Sequence, residues 1–374
     1  MLNWMEQILG ILLVILVCLD VFTTILYARI GTSVFSNLLA HLVWRLLRGL
    51  SSLFKHKQAV MLSFCGPLIL VLLVTIWAIL LTCGMALVFQ PELGKSIVSS
   101  SGQTPTDFIT AMYVGGSSVA IVGASDYTPQ TGLFRMVFLF NSLLGISIIS
   151  LTLTYLMQVY VALQRRNTLG LLVQTASGET GDAAELLTGL GPEGQFSGGY
   201  NNLSEMSGQM ISVKESHHFY PLLFYFRFQE SYYSVSHFTL VALDTVTLIK
   251  SGLNDHEYRW LKNSTAVNQL WQAAMDLLTK LDANFEPRHF ARQPPPADEQ
   301  TQKRWRKRYF KALERLQQAN IKTVEDAVAG AELYVKLRSQ WCYYITILAP
   351  VLAYNLDEID PAVGRIITTE PGLS

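Results

Sequence analysis

DFITAMYVGGSSVAIVGASDYTPQTGLFR, residues 107–135, lies between two long apolar segments and sets the architecture around it. Its first part, Asp107 to Ser118, has the spacing of a short amphipathic helix. Ala120 to Ser125 reads as an extended run of little side-chain bulk, and Asp126 to Thr131, with Pro129, as a turn that carries the chain back. Apolar segments flank it, Val60 to Phe89 before and Leu133 to Ala162 after, each long enough to cross a bilayer. Irregular backbone between two spans is tolerated at membrane depth only where it is buried in protein or lines a water-filled cavity. The loop is therefore either a packed re-entrant element or the wall of a pore.

Outward from the loop, a further span is expected over Gln7 to Ala28. It lacks the basic start and small-residue cleavage site of a signal peptide, and is read as a retained helix. Its single ionisable residue, Asp20, is followed by Thr23 and Thr24. A carboxyl group at that depth costs roughly a few kcal/mol unless it is protonated or paired, so it must face protein. No second acid in the neighbouring spans offers a relay, which favours an interhelical hydrogen bond over a proton site. Between the first two spans, Arg45, Arg48, Lys55 and Lys57 alternate with Leu39, Leu42, Val43, Leu46, Leu47 and Leu50, the pattern of a basic amphipathic helix on a membrane surface. This connection and Arg165-Arg166 after the third span mark the cytoplasmic side, which puts the N-terminus and the Gln90 to Gly132 loop outside.

Of the 374 residues, half are hydrophobic and 15% are charged. The apolar residues gather before Arg165 and the charges after it, which predicts a membrane half and a helical cytoplasmic half. The expected organisation is an N-terminal span with its surface helix (1–58), a module of two spans and the loop (59–166), a Gly, Ser and Asn-rich linker or embellished loop (167–215) with one short helix over Ala183 to Leu190, and an all-helical domain (216–374). Helices are expected over Ser234 to Ser251, His256 to Phe285 (with Leu261, Leu270, Trp271, Leu277, Leu278 and Leu281 on one side), Gln302 to Ala319 and Thr323 to Tyr354, the last opened by Thr323 with Asp326 three residues on as a cap and kinked or broken at Pro350, with a stiff break at Arg292 to Pro296. Zero formal net charge gives no electrostatic case for nucleic acid. Cys18, Cys65, Cys83 and Cys342 show no paired spacing for a disulfide framework or zinc. His217-His218 lacks partners at ligand spacing, so no resident metal or cofactor is expected. The soluble half carries no phosphate loop or nucleophile elbow, and an enzyme is not expected. Nor does any span repeat arginine every third residue, the pattern of a voltage sensor. The basic run Lys303, Arg304, Arg306, Lys307 and Arg308, interleaved with Trp305, Tyr309 and Phe310, reads as a solvated helix face.

Moving an ion across hydrocarbon requires replacing its hydration shell, most simply with backbone carbonyls aimed at a common axis. A helix pointing inward brings its negative carbonyl end there, favouring a cation. The order of outer span, short helix, Val-Gly-x-x-Asp, x-x-Pro-x-Thr and inner span, over about Val60 to Arg166, resembles the pore module of the tetrameric potassium channel family in its two-span bacterial form. Where that family's filter reads Thr-Val-Gly-Tyr-Gly-Asp, this chain has Ile121, Val122, Gly123, Ala124, Ser125 and Asp126. Tyr113 matches the aromatic buttress of the filter, Pro129 and Thr131 the return turn, and Gly145 the gating-hinge glycine. The N-terminal span with its Asp, and the run His218 to Phe226, resemble uncharacterised bacterial ion-channel family proteins.

The resemblance implies an all-α membrane protein with three transmembrane helices, a re-entrant pore helix and filter, and a cytoplasmic helical domain. It implies a homotetramer in the plasma (inner) membrane, in contact with lipid and conducting monovalent cations. Ile121 lacks the hydroxyl, and Ala124 the aromatic ring, of the family's filter, and Ser125 stands where a glycine is usual, so potassium selectivity is weak or altered in this expectation. Asp126 stands open between an acidic ring at the pore mouth and a hydrogen bond behind the filter. Gly145 stands between a hinge and a close-packing contact. Asn141, Ser142, Ser147, Ser150, Thr152 and Thr154 stand between lining a wet cavity and bonding between helices. The alternative function is a non-conducting membrane receptor or scaffold acting through the helical domain, whose ligand the sequence does not name.

Overall fold

The first helix, α1 (Leu2–Val21), runs into a π-helical turn at Phe22–Leu26. The computed structural model describes residues 2–27, 35–54, 57–100, 102–123, 126–285 and 295–360. Among them three helices are long and apolar enough to cross a membrane, Trp4–Leu26, Gln58–Glu92 and Gly132–Ala176. The chain is thus an all-α membrane protein, and its contacts divide it into two units: 1–53 with 64–160, and 54–63 with 161–374.

In the first unit, the amphipathic helix α2 (Phe35–Ser52) buries Ala40, Val43 and Trp44. Lys55 of the basic pattern lies outside the described residues. After the short α3 (Gln58–Ser63), which belongs to the second unit, comes α4 (Cys65–Phe89), against which α1 and α2 both pack. Glycines let α1 and α4 approach: a Cβ at Gly84 would lie 2.8 Å from Val14 Cγ2. Small residues at a crossing allow the backbone proximity on which helix association in lipid depends. Val17, Val21, Leu73, Trp77 and Leu81 fill this contact.

A small antiparallel ladder, β1 (Ile97–Ser99) with β2 (Tyr127–Pro129), closes the base of the loop, Val98 opposite Thr128. Between these strands lies α5 (Phe108–Val119), which packs on α4, and after them α6 (Gly132–Ala176). The strands were not anticipated. Three-residue ladders are too short to show an alternation.

In the second unit α7 (Ala183–Leu190) and α8 (Ser197–Phe219) are followed by α9 (Val235–Gly252), in which every residue but Lys250 is buried. Around it come α10 (Arg259–Lys262), α11 (Thr265–Phe285), α12 (Glu299–Gln318), α13 (Ala327–Ser339), α14 (Cys342–Val351) and α15 (Leu356–Ile359). The stretch 167–215 is helical over most of its length rather than a linker: α6 continues through it to Ala176, and Asp182 caps α7 by accepting from Ala184 N at 2.9 Å. Among its glycines, Gly178 and Gly181 both adopt positive φ between α6 and α7.

The helix expected over His256 to Phe285 is two, because Ser264 interrupts it and its hydroxyl accepts from Val267 N. That expected over Thr323 to Tyr354 is also two. Asp326, expected three residues after Thr323 as a cap, caps α13, its Oδ1 accepting from Val328 N and Ala329 N at 3.0 and 2.9 Å. The side chain of Leu281 and residues 292–294 of the proline break lie outside the described residues.

Four of the buried charges in this unit form a closed ring. Arg308 and Arg338 each contact both Asp244 and Asp360, with Arg308 Nη2 2.7 Å from Asp244 Oδ2 and Arg338 Nη2 3.0 Å from Asp360 Oδ2. Tyr334 adds its hydroxyl to Asp244 Oδ1 at 2.6 Å. Each charge is met by two opposite ones, the condition under which buried ions are tolerated. The basic run of α12 is therefore not a solvated face throughout: Trp305, Arg308 and Tyr309 are interior, and Arg306 pairs with Glu332 at 2.7 Å.

Candidate functional site

The geometry of the loop starts at Asp107, whose side chain caps α5 by accepting from Thr110 N at 3.0 Å and Thr110 Oγ1 at 2.8 Å. These bonds hold its carboxyl below the usual carboxylate range. From this cap α5 lies on α4 through two glycines. A Cβ at Gly115 would fall 3.1 Å from Ala86 N, and one at Gly116 3.0 Å from Thr82 Cγ2. On its other side Gly145 of α6 faces Val119, and a Cβ there would collide with the Val119 carbonyl oxygen. The glycine's visible role is this close approach, and α6 continues through it unbroken.

Polar groups of α6 fix the same end of α5. Asn141 Nδ2, buried, donates to Gly115 O at 3.4 Å, Ser142 Oγ to Ser118 O at 3.0 Å, and Ser118 Oγ returns a bond to Phe138 O at 3.4 Å. Ser147 and Thr154 bond carbonyls of their own helix. An apolar cavity of about 340 Å³ borders this end, its wall including Trp77, Leu81, Gly116, Val119 and Ala120.

Beyond Val119 the chain differs from the extended run expected over Ala120 to Ser125. Ala120 is helical at φ −75°, ψ −3°, and Ile121 is left-handed at φ +64°. Gly123 follows at φ +74°. Ala120 N donates to Gly116 O at 2.8 Å and Gly123 N to Ser117 O at 3.1 Å. The turn thus satisfies carbonyls that α5 would otherwise present, the usual economy of a helix C-terminus. Glycine takes this conformation freely, but a β-branched residue does so at about 1–3 kcal/mol. Ala124 and Ser125 lie outside the described residues. Val122 is 80% exposed and Ile121 48% in the single chain.

The return begins at Asp126, whose carboxylate accepts from the Tyr113 hydroxyl at 3.2 Å and whose carbonyl accepts from Ser100 N at 2.8 Å. That carboxylate raises the Tyr113 hydroxyl above the ordinary phenol range. Tyr113 and Tyr127 meet edge to face at 6.1 Å. Thr131 Oγ1 accepts from Phe134 N at 3.4 Å at the start of α6, and Arg135 Nε donates to Pro129 O at 3.2 Å. The structure therefore brings Tyr113, Asp126 and the strands together, and α5, Asn141, Ser142 and Gly145 together.

This chain is similar to a bacterial membrane protein. The "Uncharacterized membrane protein YdjJ" of Bacillus subtilis (strain 168) is 22% identical to it over 289 residues, which span 77% of this chain and 81% of that protein. A match of that length exceeds the first unit and takes in part of the second. No protein-family model matches the chain, and no solved structure does.

Asp20 gains partners that its sequence context did not reveal. Its Oδ1 accepts from Phe35 N at 3.1 Å, and its Oδ2 from Ser36 Oγ at 3.1 Å and Trp77 Nε1 at 2.9 Å. Thr24 and Ser36 share a further bond at 2.8 Å. Asp20 therefore caps α2 from another helix while bonding α4, which favours the packing role. The signal available in sequence was the serine next to the start of an amphipathic pattern. Among the described residues no group of three or more His, Cys, Asp or Glu side chains is placed to hold a metal.

Proposed function

We propose that the chain is the subunit of a homotetrameric channel for monovalent cations, weakly or unusually selective for potassium. In this reading the loop is re-entrant, with α5 as pore helix and Ile121 to Ser125 as filter. Asp126 stands at the outer mouth, the N-terminus is outside, and the second unit lies in the cytoplasm of a cell whose plasma (inner) membrane holds the tetramer. One observation carries the reading: α5 is seated on α4 through Gly115 and Gly116 and on α6 through Gly145 and Asn141, yet apolar Ile121 and Val122 remain exposed beyond it. Such side chains need cover, which neighbouring subunits around an axis would provide, because one chain supplies only one loop.

The Tyr113–Asp126 bond supports a filter held from behind, and leaves less of the Asp126 charge for the mouth. Gly145 serves as hinge in this proposal only if its contact with Val119 breaks on opening. A second reading is favoured by Ile121: its left-handed backbone, with the α5 carbonyls already bonded, is a conformation in which the loop does not present a carbonyl ladder. In that reading the protein is a non-conducting receptor or scaffold acting through its helical unit. Purified protein in planar bilayers separates them. Cation-dependent current abolished by a bulky residue at Gly123 supports the channel, and silence under every gating condition supports the scaffold.

A further inference from the structure

Arg166, His217 and Ser234 meet at a small cavity of the second unit, whose wall also includes Arg227, Tyr233 and Tyr354. All four of the polar residues Arg166, His217, Ser234 and Arg227 are more than nine-tenths buried. Their hydrogen bonds leave a consistent remainder. Arg166 Nη1 donates to Leu223 O at 2.9 Å and Nη2 to Phe226 O at 2.8 Å, but its Nε is buried without a partner. Both ring nitrogens of His217 and the hydroxyl of Ser234 are likewise buried and unpartnered. Ser234 precedes α9 yet makes no side-chain cap bond.

The charges leave a remainder of the same sign. Arg166 has only carbonyl acceptors and the Phe228 ring, 5.6 Å away. Arg227 donates to Ala353 O and Phe228 O, and its nearest carboxylate, Glu358, is 4.0 Å away and 43% exposed. Among the described residues no carboxylate lines the cavity. A water molecule would satisfy the hydrogen-bonding atoms but not the buried positive charge. Space sets the size of what could: the cavity has room for about one water-sized guest, which excludes phosphate esters and nucleotides.

We propose that this cavity binds a single small anion of the halide class, chloride in the cell, held by Arg166 Nε, the Ser234 hydroxyl and one N–H of His217. The anion joins the C-terminal third of α6, the last turn of α8 and the start of α9, so its occupancy sets how firmly these three segments hold together.

The test uses the full-length protein in detergent at fixed ionic strength. The chloride-35 NMR line width is measured as sodium chloride is titrated and then displaced by sodium bromide, with thermal unfolding compared in chloride and gluconate. The expected result is saturable broadening reversed by bromide, a higher unfolding midpoint in chloride than in gluconate, and roughly tenfold weaker binding in Ser234→Ala, which removes one donor. Arg166→Gln should abolish the broadening. Should that variant fail to fold, Ser234→Ala, which disturbs no cap, carries the comparison. Broadening that never saturates, equal midpoints in chloride and gluconate, or an unchanged response in Ser234→Ala would overturn the proposal and leave the cavity to water. None of these readouts depends on ion conduction.

Discussion

The indole of Trp77 donates to the carboxylate of Asp20 at 2.9 Å, and that carboxylate also takes the backbone N–H of Phe35. One acidic side chain in a membrane-spanning helix thereby fixes a second span and the start of an amphipathic helix. Removing it strands three donors, each at about 1–3 kcal/mol where buried. Asp20→Leu is expected to lower the unfolding midpoint or abolish folding, whereas Asp20→Asn, which keeps an acceptor oxygen, folds and retains function. An Asp20→Asn protein that folds but loses all function would point instead to a proton site.

At Gly145 the account predicts the opposite of helix propensity. In an open helix interior Gly→Ala stabilises by about 1 kcal/mol. Here the added methyl runs into the Val119 carbonyl, so Gly145→Ala should lower the unfolding midpoint and loosen the α5–α6 contact. A more stable Gly145→Ala protein would show that the close approach is not maintained.

Ile121 offers a test of backbone strain. Its φ of +64° suits glycine and costs a β-branched residue about 1–3 kcal/mol. Its side chain is half exposed in the single chain, so little packing is lost on removal. As detergent-separated monomers, Ile121→Gly is expected to match or exceed the parent in thermal stability, whereas in the intact oligomer, where neighbours are proposed to cover the side chain, it should fall below it. A monomer clearly destabilised by the substitution would contradict the strain at this position.

His217 sets a pH dependence. Burial, and then the charge of Arg166, holds its pKa well below the ordinary 6.5. Below pH 6.5 the unfolded chain therefore binds a proton that the folded protein refuses. The stability contributed by the neutral ring is full above that pH and falls by up to about 1.4 kcal/mol per unit as the pH drops toward the folded value. In gluconate buffer, His217→Leu should show a shallower loss of unfolding midpoint between pH 7 and about 5.5. Some slope persists through His237, which burial also depresses. An unchanged slope would remove His217 from this role.

Much of the membrane unit was legible because its signals are long. Spans announce themselves by apolar length, and α5 by its amphipathic spacing. The end of α6 was not legible: after Arg166 the chain turns polar and glycine-bearing, which resembles a linker, yet Leu169 and Val173 are fully buried and keep the helix going to Ala176. The partners of Asp20, and the ring of Asp244, Arg308, Arg338 and Asp360, join residues far apart in sequence, and no local pattern encodes them. Arg308 in particular sits in a run of basic residues whose other members gave no hint that one points inward. The conformation of Ile121 was hidden for a different reason. An apolar run reads as extended by propensity, but the C-terminus of α5 needs a left-handed residue to bond its last carbonyls.

In the proposed channel the loop between α4 and α6 lines a cation path. Its most direct test is single-channel recording of the purified protein in planar bilayers under a potassium gradient, with the parent beside Gly123→Trp and an Ile121→Thr, Ala124→Tyr, Ser125→Gly restoration. The channel should give a cation-dependent reversal potential in the parent, loss of current with tryptophan, and a shift toward potassium in the restored filter. Current that survives Gly123→Trp, or a selectivity untouched by the restoration, would contradict it.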